Sequence, residues 1–342
     1  MITAEIITIG DELLIGQVVD TNSAYIAREL DKIGISVFQI TSVSDERKHI
    51  LTALEDASRR VHLVLTTGGL GPTKDDITKD VFTEYTDDQL VFHGETLRRL
   101  EAMMAARGST MNALMIKQAE VPSRCTVIPN SAGTAPGMWF DKNGVVFIAM
   151  PGVPFEMKTM MQDEVLPRLQ QRFTTDIILH RTLLVTGFPE SALAIHIEDW
   201  EDNLPKNIHL AYLPGSGMIR LRLSTSGADR KILETQTEAE IAKLRILLGN
   251  HIISENDETV EEIVARILTE KGQTLAVAES CTGGNIAHLL TSISGSSVYF
   301  KGSVVAYANE IKEKMLHVNA LDLQQYGAVS EQVVKQMAAN VR

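Results

Sequence analysis

A chain of 342 residues has room for two or three domains, and 44% hydrophobic against 22% charged residues is an ordinary globular balance. The formal net charge of −12 argues against a non-specific nucleic-acid or anionic-membrane partner. No apolar run approaches the ~18 residues of a spanning helix. The chain enters a strand pattern at Met1 with no basic leader, and Cys125 and Cys281 have no metal-ligand spacing, so a reduced, cytoplasmic setting is expected.

Residues 1–172 alternate short apolar runs with amphipathic segments. Strands are expected at Ile6–Ile9, Val37–Ile40, Leu63–Leu65, Thr126–Ile128 and Val145–Ala149, and helices at Thr21–Lys32, Lys48–Arg60, Glu95–Arg107 and Pro154–Arg172. This alternation predicts a parallel α/β sheet, in which ligands bind beyond the carboxyl ends of the strands. Gly10-Asp11-Glu12 falls at the first such end, Asp20-Thr21-Asn22 follows it, and Asp45 succeeds the second strand. After the third strand, Gly68, Gly69 and Gly71 let backbone N–H groups converge with no side chains in the way. Pro72 and Thr73 then open a segment headed by Asp75, Asp76 and Thr78.

A strand, a glycine turn and a helix start make a phosphate cradle. Carboxylates at its mouth would repel a phosphate unless a divalent cation stood between them, and Asp45 and Asp76 are the expected ligands. The structural alternative is a tight turn with an acidic N-cap. Gly133–Gly137 and Pro151–Glu156 supply two further rigid turns.

Residues 176–252 read as a small α+β unit. Its expected strands are Arg181–Thr186, Ile208–Tyr212 and Ile219–Ser224, and its helices Glu190–Glu198 and Thr235–Leu248. No chemical cluster falls in it, so a structural or spacer role is expected.

Residues 255–342 open with a helix at Glu258–Lys271. A strand at Leu275–Ala278 leads into Glu279-Ser280-Cys281-Thr282-Gly283-Gly284, and a strand at Ser303–Ala306 leads into Tyr307–Lys312. Ser330 is an expected N-cap. With roughly ninety residues and few strands this unit is thin for an independent core, and it is expected to be incomplete.

Ser280 lies between a strand and a glycine-opened helix, where N–H groups can stabilise an oxyanion. The hydroxyl still needs a base. His288 falls within the following helix and His317 beyond the next segment, which leaves Lys312, shortly after Tyr307. A lysine in a desolvated pocket can serve as base. Ser280, Tyr307 and Lys312 together would suit amide hydrolysis. The structural alternative is an N-cap serine, a packed tyrosine and a solvated lysine.

The segments Ile9–Leu14, Asp20–Asn22, Thr66–Thr78, Asn112–Lys117, Gly133–Gly137 and Pro151–Met157 resemble the molybdopterin-binding-like first domain of the CinA (competence/damage-inducible) family. Residues 176–250 resemble that family's KH-like middle domain. Ala278–Gly284, Gly302–Lys312 and Gly327–Glu331 resemble its C-terminal nicotinamide-nucleotide amidase domain. The resemblance spans nearly the whole chain.

It implies a metal-dependent ADP-ribose pyrophosphatase using Mg, Mn or Co, stimulated by K+ and releasing AMP and ribose 5-phosphate. Gly10, Asp11, Glu12, Asn22, Gly68, Gly69, Gly71, Thr73 and Glu156 would bind substrate there, and Asp45 and Asp76 the metal. The resemblance also implies deamidation of nicotinamide mononucleotide to nicotinate mononucleotide and ammonia. For that reaction Ser280 is the nucleophile, Tyr307 and Lys312 assist, and Thr282, Gly283 and Gly284 frame the substrate. A homodimer acting on small nucleotides in pyridine-nucleotide recycling is implied, with no direct nucleic-acid or membrane partner. Members of the family continue past the equivalent of Arg342 with a further glycine-rich turn, so weak deamidase activity is expected. Two other readings stay open: a module that binds a molybdopterin precursor, and a non-enzymatic protein associated with competence or DNA damage.

Overall fold

Side chains alternate across a strand, and strand β1 (Ile2–Ile9) uses that alternation to feed two cores. Ala4 and Ile6 enter one buried cluster with Leu63, Leu65, Val146 and Ile148, while Ile7 and Ile9 enter another with Val64, Phe147 and Ala149. A strand buried on both faces reads as a continuous apolar run, which is why Ile6–Ile9 and Leu63–Leu65 were legible as strands. In the computed structural model, residues 1–106, 108–215 and 217–342 are described. Arg107, the last residue of the helix expected at Glu95–Arg107, lies outside the described residues. The chain forms two compact units, Met1–His180 with Ser224–Glu238, and Arg181–Leu223 with Ala239–Arg342.

In the first unit β1 is followed by β2 (Ile35–Val43), β3 (Leu63–Thr67), β4 (Leu90–Phe92), β5 (Glu120–Pro122), β6 (Thr126–Ile128), β7 (Gly137–Lys142) and β8 (Val145–Met150). The main sheet has the order β2-β1-β3-β8-β7-β6. Its first four strands run parallel, with Ile6 opposite Leu65 and Leu65 opposite Ile148. β7 runs antiparallel to both of its neighbours, β6 and β8, and makes a mixed edge that the sequence pattern did not show. The short pair β4–β5 stands apart as a two-stranded antiparallel ribbon.

Helices Asn22–Lys32 and Pro154–Met160 place Ile26, Leu30, Met157 and Met160 in the first cluster. Helices Arg47–Ser58 and Thr78–Tyr85 place Ile50, Leu54, Val81 and Phe82 in the second. The helix expected at Pro154–Arg172 is three segments, with a wide π turn at Met161–Val165 before Leu166–Arg172. Pro167 has no N–H to give to the carbonyl four residues earlier, so the ladder loosens ahead of it.

The second unit contains two separate sheets' worth of core. β9 (Ile177–Thr186), β10 (Ile208–Gly215), β11 (Met218–Gly227) and β12 (Ile252–Ser254) pair in the order β10-β11-β9-β12. Ile219, Leu221 and Leu223 alternate inward from β11 onto Leu193, Ile197 and Trp200 of helix Glu190–Asp202. β13 (Leu275–Glu279) and β14 (Phe300–Val305) form a parallel pair in which Glu279 stands opposite Val305. One small cluster around Ala306, Leu316, Leu323 and Val333, and another around Ala265, Leu290 and Tyr299, pack this part.

Candidate functional sites

The carboxyl ends of β1, β3 and β8 meet around a cavity of about 450 Å³, lined by Gly10, Glu12, Asp45, Gly68, Gly69, Gly71, Asp75, Asp76 and Glu156 among others. Close backbone approach builds its floor. A Cβ on Gly68, whose φ is +116°, would stand 2.1 Å from the Ile9 carbonyl oxygen. One on Gly69, with φ +64°, would stand 2.3 Å from Thr78 Oγ1. Thr78 fastens this turn, its hydroxyl donating to Gly68 O at 2.9 Å and its N–H to Gly69 O at 3.0 Å.

The glycine amides are not all aimed at a ligand. Gly10 N–H donates to Val43 O and Gly68 N–H to Met150 O, both at 3.1 Å. Gly71 N–H donates to Asp76 Oδ1 at 2.8 Å and Thr73 N–H to Asp76 Oδ2 at 2.9 Å, and the Thr73 hydroxyl also reaches Asp76 Oδ2. Asp76 therefore closes its own loop. This corrects two expectations: Gly71 and Thr73 do not offer free N–H groups to a phosphate, and the Asp76 carboxylate is engaged as a loop fastener. Among the described residues, the N–H groups of Gly69 and Leu70 have no protein acceptor and remain available.

Asp45 behaves differently. Its Oδ2 accepts from Asp11 N–H at 3.0 Å. Burial pushes its pKa above the ordinary carboxylate value, the Asp11 amide pulls back, and the negative charges of Asp11, Glu12 and Asp75 push further in the same direction as burial. Among the described residues, no lysine, arginine or histidine lines the cavity. Among the described residues, no three His, Cys, Asp or Glu side chains converge as a ready metal site. The donor chemistry nevertheless suits a hard cation, because oxygen ligands with excess negative charge face one space. A magnesium-like ion commonly takes one or two carboxylates and fills its other positions with water and substrate phosphate.

Asn22 joins the strand ends. Its Nδ2 donates to Thr67 Oγ1 at 3.1 Å and to Gly152 O at 2.8 Å, and Thr67 passes a bond on to Pro151 O at 3.0 Å. Asn22 Oδ1 is buried without a partner among the described residues, beside a smaller cavity of about 90 Å³. Glu156 is held by Asn130, whose Nδ2 reaches Glu156 Oε2 at 2.7 Å and Ala135 O at 2.8 Å. Asn130 Oδ1 accepts from Ala132 and Gly133 N–H, and Arg99 donates to the carbonyls of Asn130, Gly133 and Thr134. Burial lowers the Arg99 pKa, while Glu156 opposes that shift. Asn130 and Arg99 belong to none of the motifs singled out above, and Pro129-Asn130 before a small-residue turn is the sequence signal that marks them.

In the second unit, parallel pairing of β13 with β14 brings the two following turns together. Lys312, 1% exposed, lies with Nζ 3.2 Å from Ser280 Oγ, 2.6 Å from Ala306 O and 3.0 Å from Tyr307 O. The expectation that Lys312 meets Ser280 is thus met in space, and the alternative of a solvated lysine is excluded. Tyr307 is a correction: its side chain is 75% exposed, and among the described residues its hydroxyl has no hydrogen bond. It touches Lys312 through its main-chain carbonyl instead.

Glu279, given no role by the sequence pattern, is part of the same site. It is 2% exposed and accepts from the N–H groups of Gly284, Ile286 and Ala287 at 3.1, 3.0 and 3.0 Å. Gly283 N–H turns back to Ser280 O at 3.1 Å. Gly283 and Gly284 therefore do not supply free oxyanion donors, contrary to expectation. Burial alone would raise the Glu279 pKa. The amides of Ala287 and Ile286, with the hydroxyls of Thr282 and Ser303, outweigh it and hold the carboxyl below its usual range.

Residues 5–171 match the family model described as "Probable molybdopterin binding domain", residues 180–254 the "Damage-inducible protein CinA KH domain", and residues 257–342 the "CinA C-terminal domain". A CinA-like protein of Flavobacterium psychrophilum is 47% identical over 341 residues, covering 99% of this chain and 82% of that protein. A CinA-like protein of Cytophaga hutchinsonii is 48% identical over 341 residues, covering 100% of this chain and 82% of its own length. Among solved structures, a CinA protein from Thermoplasma acidophilum is 32% identical, covers 49% of this chain and 97% of its own, and superposes with a TM-score of 0.45. Among the described residues, no helix is long and apolar enough to cross a membrane.

Proposed function

The chain belongs to the CinA family, and on that premise we propose that it is a hydrolase with two chemistries: cation-dependent cleavage of ADP-ribose in the first unit and deamidation of nicotinamide mononucleotide in the second. The observation that carries the first is a cavity faced by Glu12, Asp45, Asp75, Asp76 and Glu156 with, among the described residues, no basic side chain in its lining. A diphosphate enters such a space only with a cation. Asp45 and Glu12 would hold a divalent ion, which when bound supplies charge neutralisation at the phosphorus under attack. The free N–H groups of Gly69 and Leu70 would orient a phosphate oxygen. Water attacks one phosphorus, the P–O–P bridge breaks, and AMP and ribose 5-phosphate leave.

The second chemistry rests on the Ser280–Lys312 contact of 3.2 Å. The carbonyls of Ala306 and Tyr307 fix Lys312 Nζ beside the Ser280 hydroxyl, where it would take the hydroxyl proton as base. Ser280 Oγ attacks the carboxamide carbon, the C–N bond breaks, ammonia leaves with the proton taken by Lys312, and water cleaves the resulting ester.

Product analysis tests both chemistries on the purified protein. ADP-ribose with a divalent cation and potassium is expected to yield AMP, and nicotinamide mononucleotide to yield nicotinate mononucleotide and ammonia. Tight retention of a phosphorylated pterin, with neither reaction, would favour the binding-module reading that the name of the first matched model favours.

A further inference from the structure

We propose that Glu279 is a positioning residue for the Ser280 site: by absorbing the amides of Gly284, Ile286 and Ala287 it fixes the turn so that the N–H groups of Cys281 and Thr282 are the oxyanion donors. The inference rests on the reading of Ser280 as a lysine-activated nucleophile. Glu279 ends β13 and immediately precedes Ser280, and its main-chain carbonyl accepts from Ala306 N–H at 2.8 Å. Its backbone thereby ties down the segment that supplies the two carbonyls holding Lys312.

Its side chain acts on the opposite flank of the serine. Oε2 takes Gly284 and Ile286, while Oε1 takes Ala287 and, at 3.3 Å, the Ser303 hydroxyl of β14. A carboxylate that accepts several N–H bonds inside a protein is a rigid anchor, because losing one partner strands the others. After this allocation, and with Gly283 N–H given to Ser280 O and Asn285 N–H to Thr282 O, the amides at the serine turn that lack a protein acceptor among the described residues are the serine's own and those of Cys281 and Thr282, the last two following the nucleophile. Two adjacent main-chain donors following a nucleophile are suited to a developing negative oxygen. The helix behind them, Asn285–Thr291, has its first amides already spent on Glu279 and can contribute little.

A fluorophosphonate probe reads this geometry apart from turnover. Ser280 Oγ forms the O–P bond, the P–F bond breaks, fluoride leaves, the proton passes to Lys312, and the phosphoryl oxygen occupies the oxyanion position. In Glu279→Gln an NH₂ group replaces one acceptor and confronts main-chain N–H groups. Labelling of Ser280 should slow by about 100-fold, the size of a lost oxyanion donor. The kcat for nicotinamide mononucleotide should fall in step while KM stays within about twofold, since ground-state binding is untouched. Ser303→Ala, which removes only one lateral contact, should fold and label about three- to tenfold more slowly, a smaller loss than that of a direct oxyanion donor. It decides the matter should Glu279→Gln not fold. Undiminished labelling in folded Glu279→Gln, or in Ser303→Ala where only that variant folds, overturns the positioning role alone. Absence of labelling in the parent, or labelling that survives Ser280→Ala, overturns the nucleophile reading and the proposal with it.

Discussion

Burial withdraws Asp45 partly from water and the like charges of Asp11, Glu12 and Asp75 add to that, so its ionised form is less stable in the folded protein than in the unfolded chain. The sign follows from the raised pKa. The associated stability is fully present below the ordinary carboxylate value and is lost as pH rises through the elevated one. In cation-free buffer at pH 7, Asp45→Asn is therefore expected to unfold at a higher temperature than the parent, and the gap should close toward pH 3. Magnesium should raise the parent's midpoint and leave that of Asp45→Asn nearly unchanged, as scanning calorimetry across pH would show. An equal magnesium response in both proteins would remove Asp45 from the site.

The residue scale also shows what sequence can and cannot disclose. Ser280 and Lys312 were legible as partners because no histidine falls at a matching turn, and the parallel pair β13–β14 sets their two turns side by side. The direction of a side chain was not. Nothing in the spacing told that Asp76 turns back onto Gly71 and Thr73, or that the Tyr307 ring faces solvent.

At the scale of the element, the glycine turn after β3 is the part whose chemistry and geometry agree most fully. A β-branched residue at Gly69 would have to adopt φ +64° with its Cβ against the Thr78 hydroxyl. Gly69→Val is expected to lose the Thr78 fastening and, with it, the Gly69 and Leu70 amides as a phosphate seat. Equilibrium dialysis should show ADP-ribose binding weakened by at least about tenfold, the equivalent of one displaced hydrogen bond to a charged group. Binding at parental strength would reduce the loop to a structural turn.

In the second core cluster, Phe147 packs edge-on to Phe82 and Tyr85, with ring centroids 6.5 and 5.3 Å apart. Phe147→Ala should cost about 3–5 kcal/mol in denaturant unfolding, the range for an aromatic removed from a close-packed core. A cost below about 1 kcal/mol would mean that this layer re-packs freely. Buried parallel strands announced themselves as apolar runs, whereas β7 did not. Gly137–Lys142 mixes Gly, Asp and Lys with Met, Trp and Phe, and its antiparallel pairing to β8 across the Asn143–Gly144 turn depends on local turn chemistry rather than on a run.

For the whole molecule, the two proposed chemistries fall in different compact units, with the cavity residues in Met1–His180 and Glu279, Ser280 and Lys312 in Ala239–Arg342. Substitutions in one site should leave the other alone, since sites that share no partner residues act nearly additively. Ser280→Ala is thus expected to abolish ammonia release and leave AMP release at the parental rate. Loss of both activities would show that the units are coupled.

The central claim, that the carboxylate-lined cavity is a cation-bridged diphosphate site, is tested most directly by titrating a divalent cation into the metal-stripped protein with ADP-ribose and measuring AMP. The account predicts no AMP without cation, a saturable rise as magnesium or manganese is added, and a loss of at least about 100-fold in Asp45→Asn, because the ion's stabilisation of the transferring phosphorus is worth several kcal/mol. AMP release that persists in excess chelator, or that Asp45→Asn leaves intact, would contradict it.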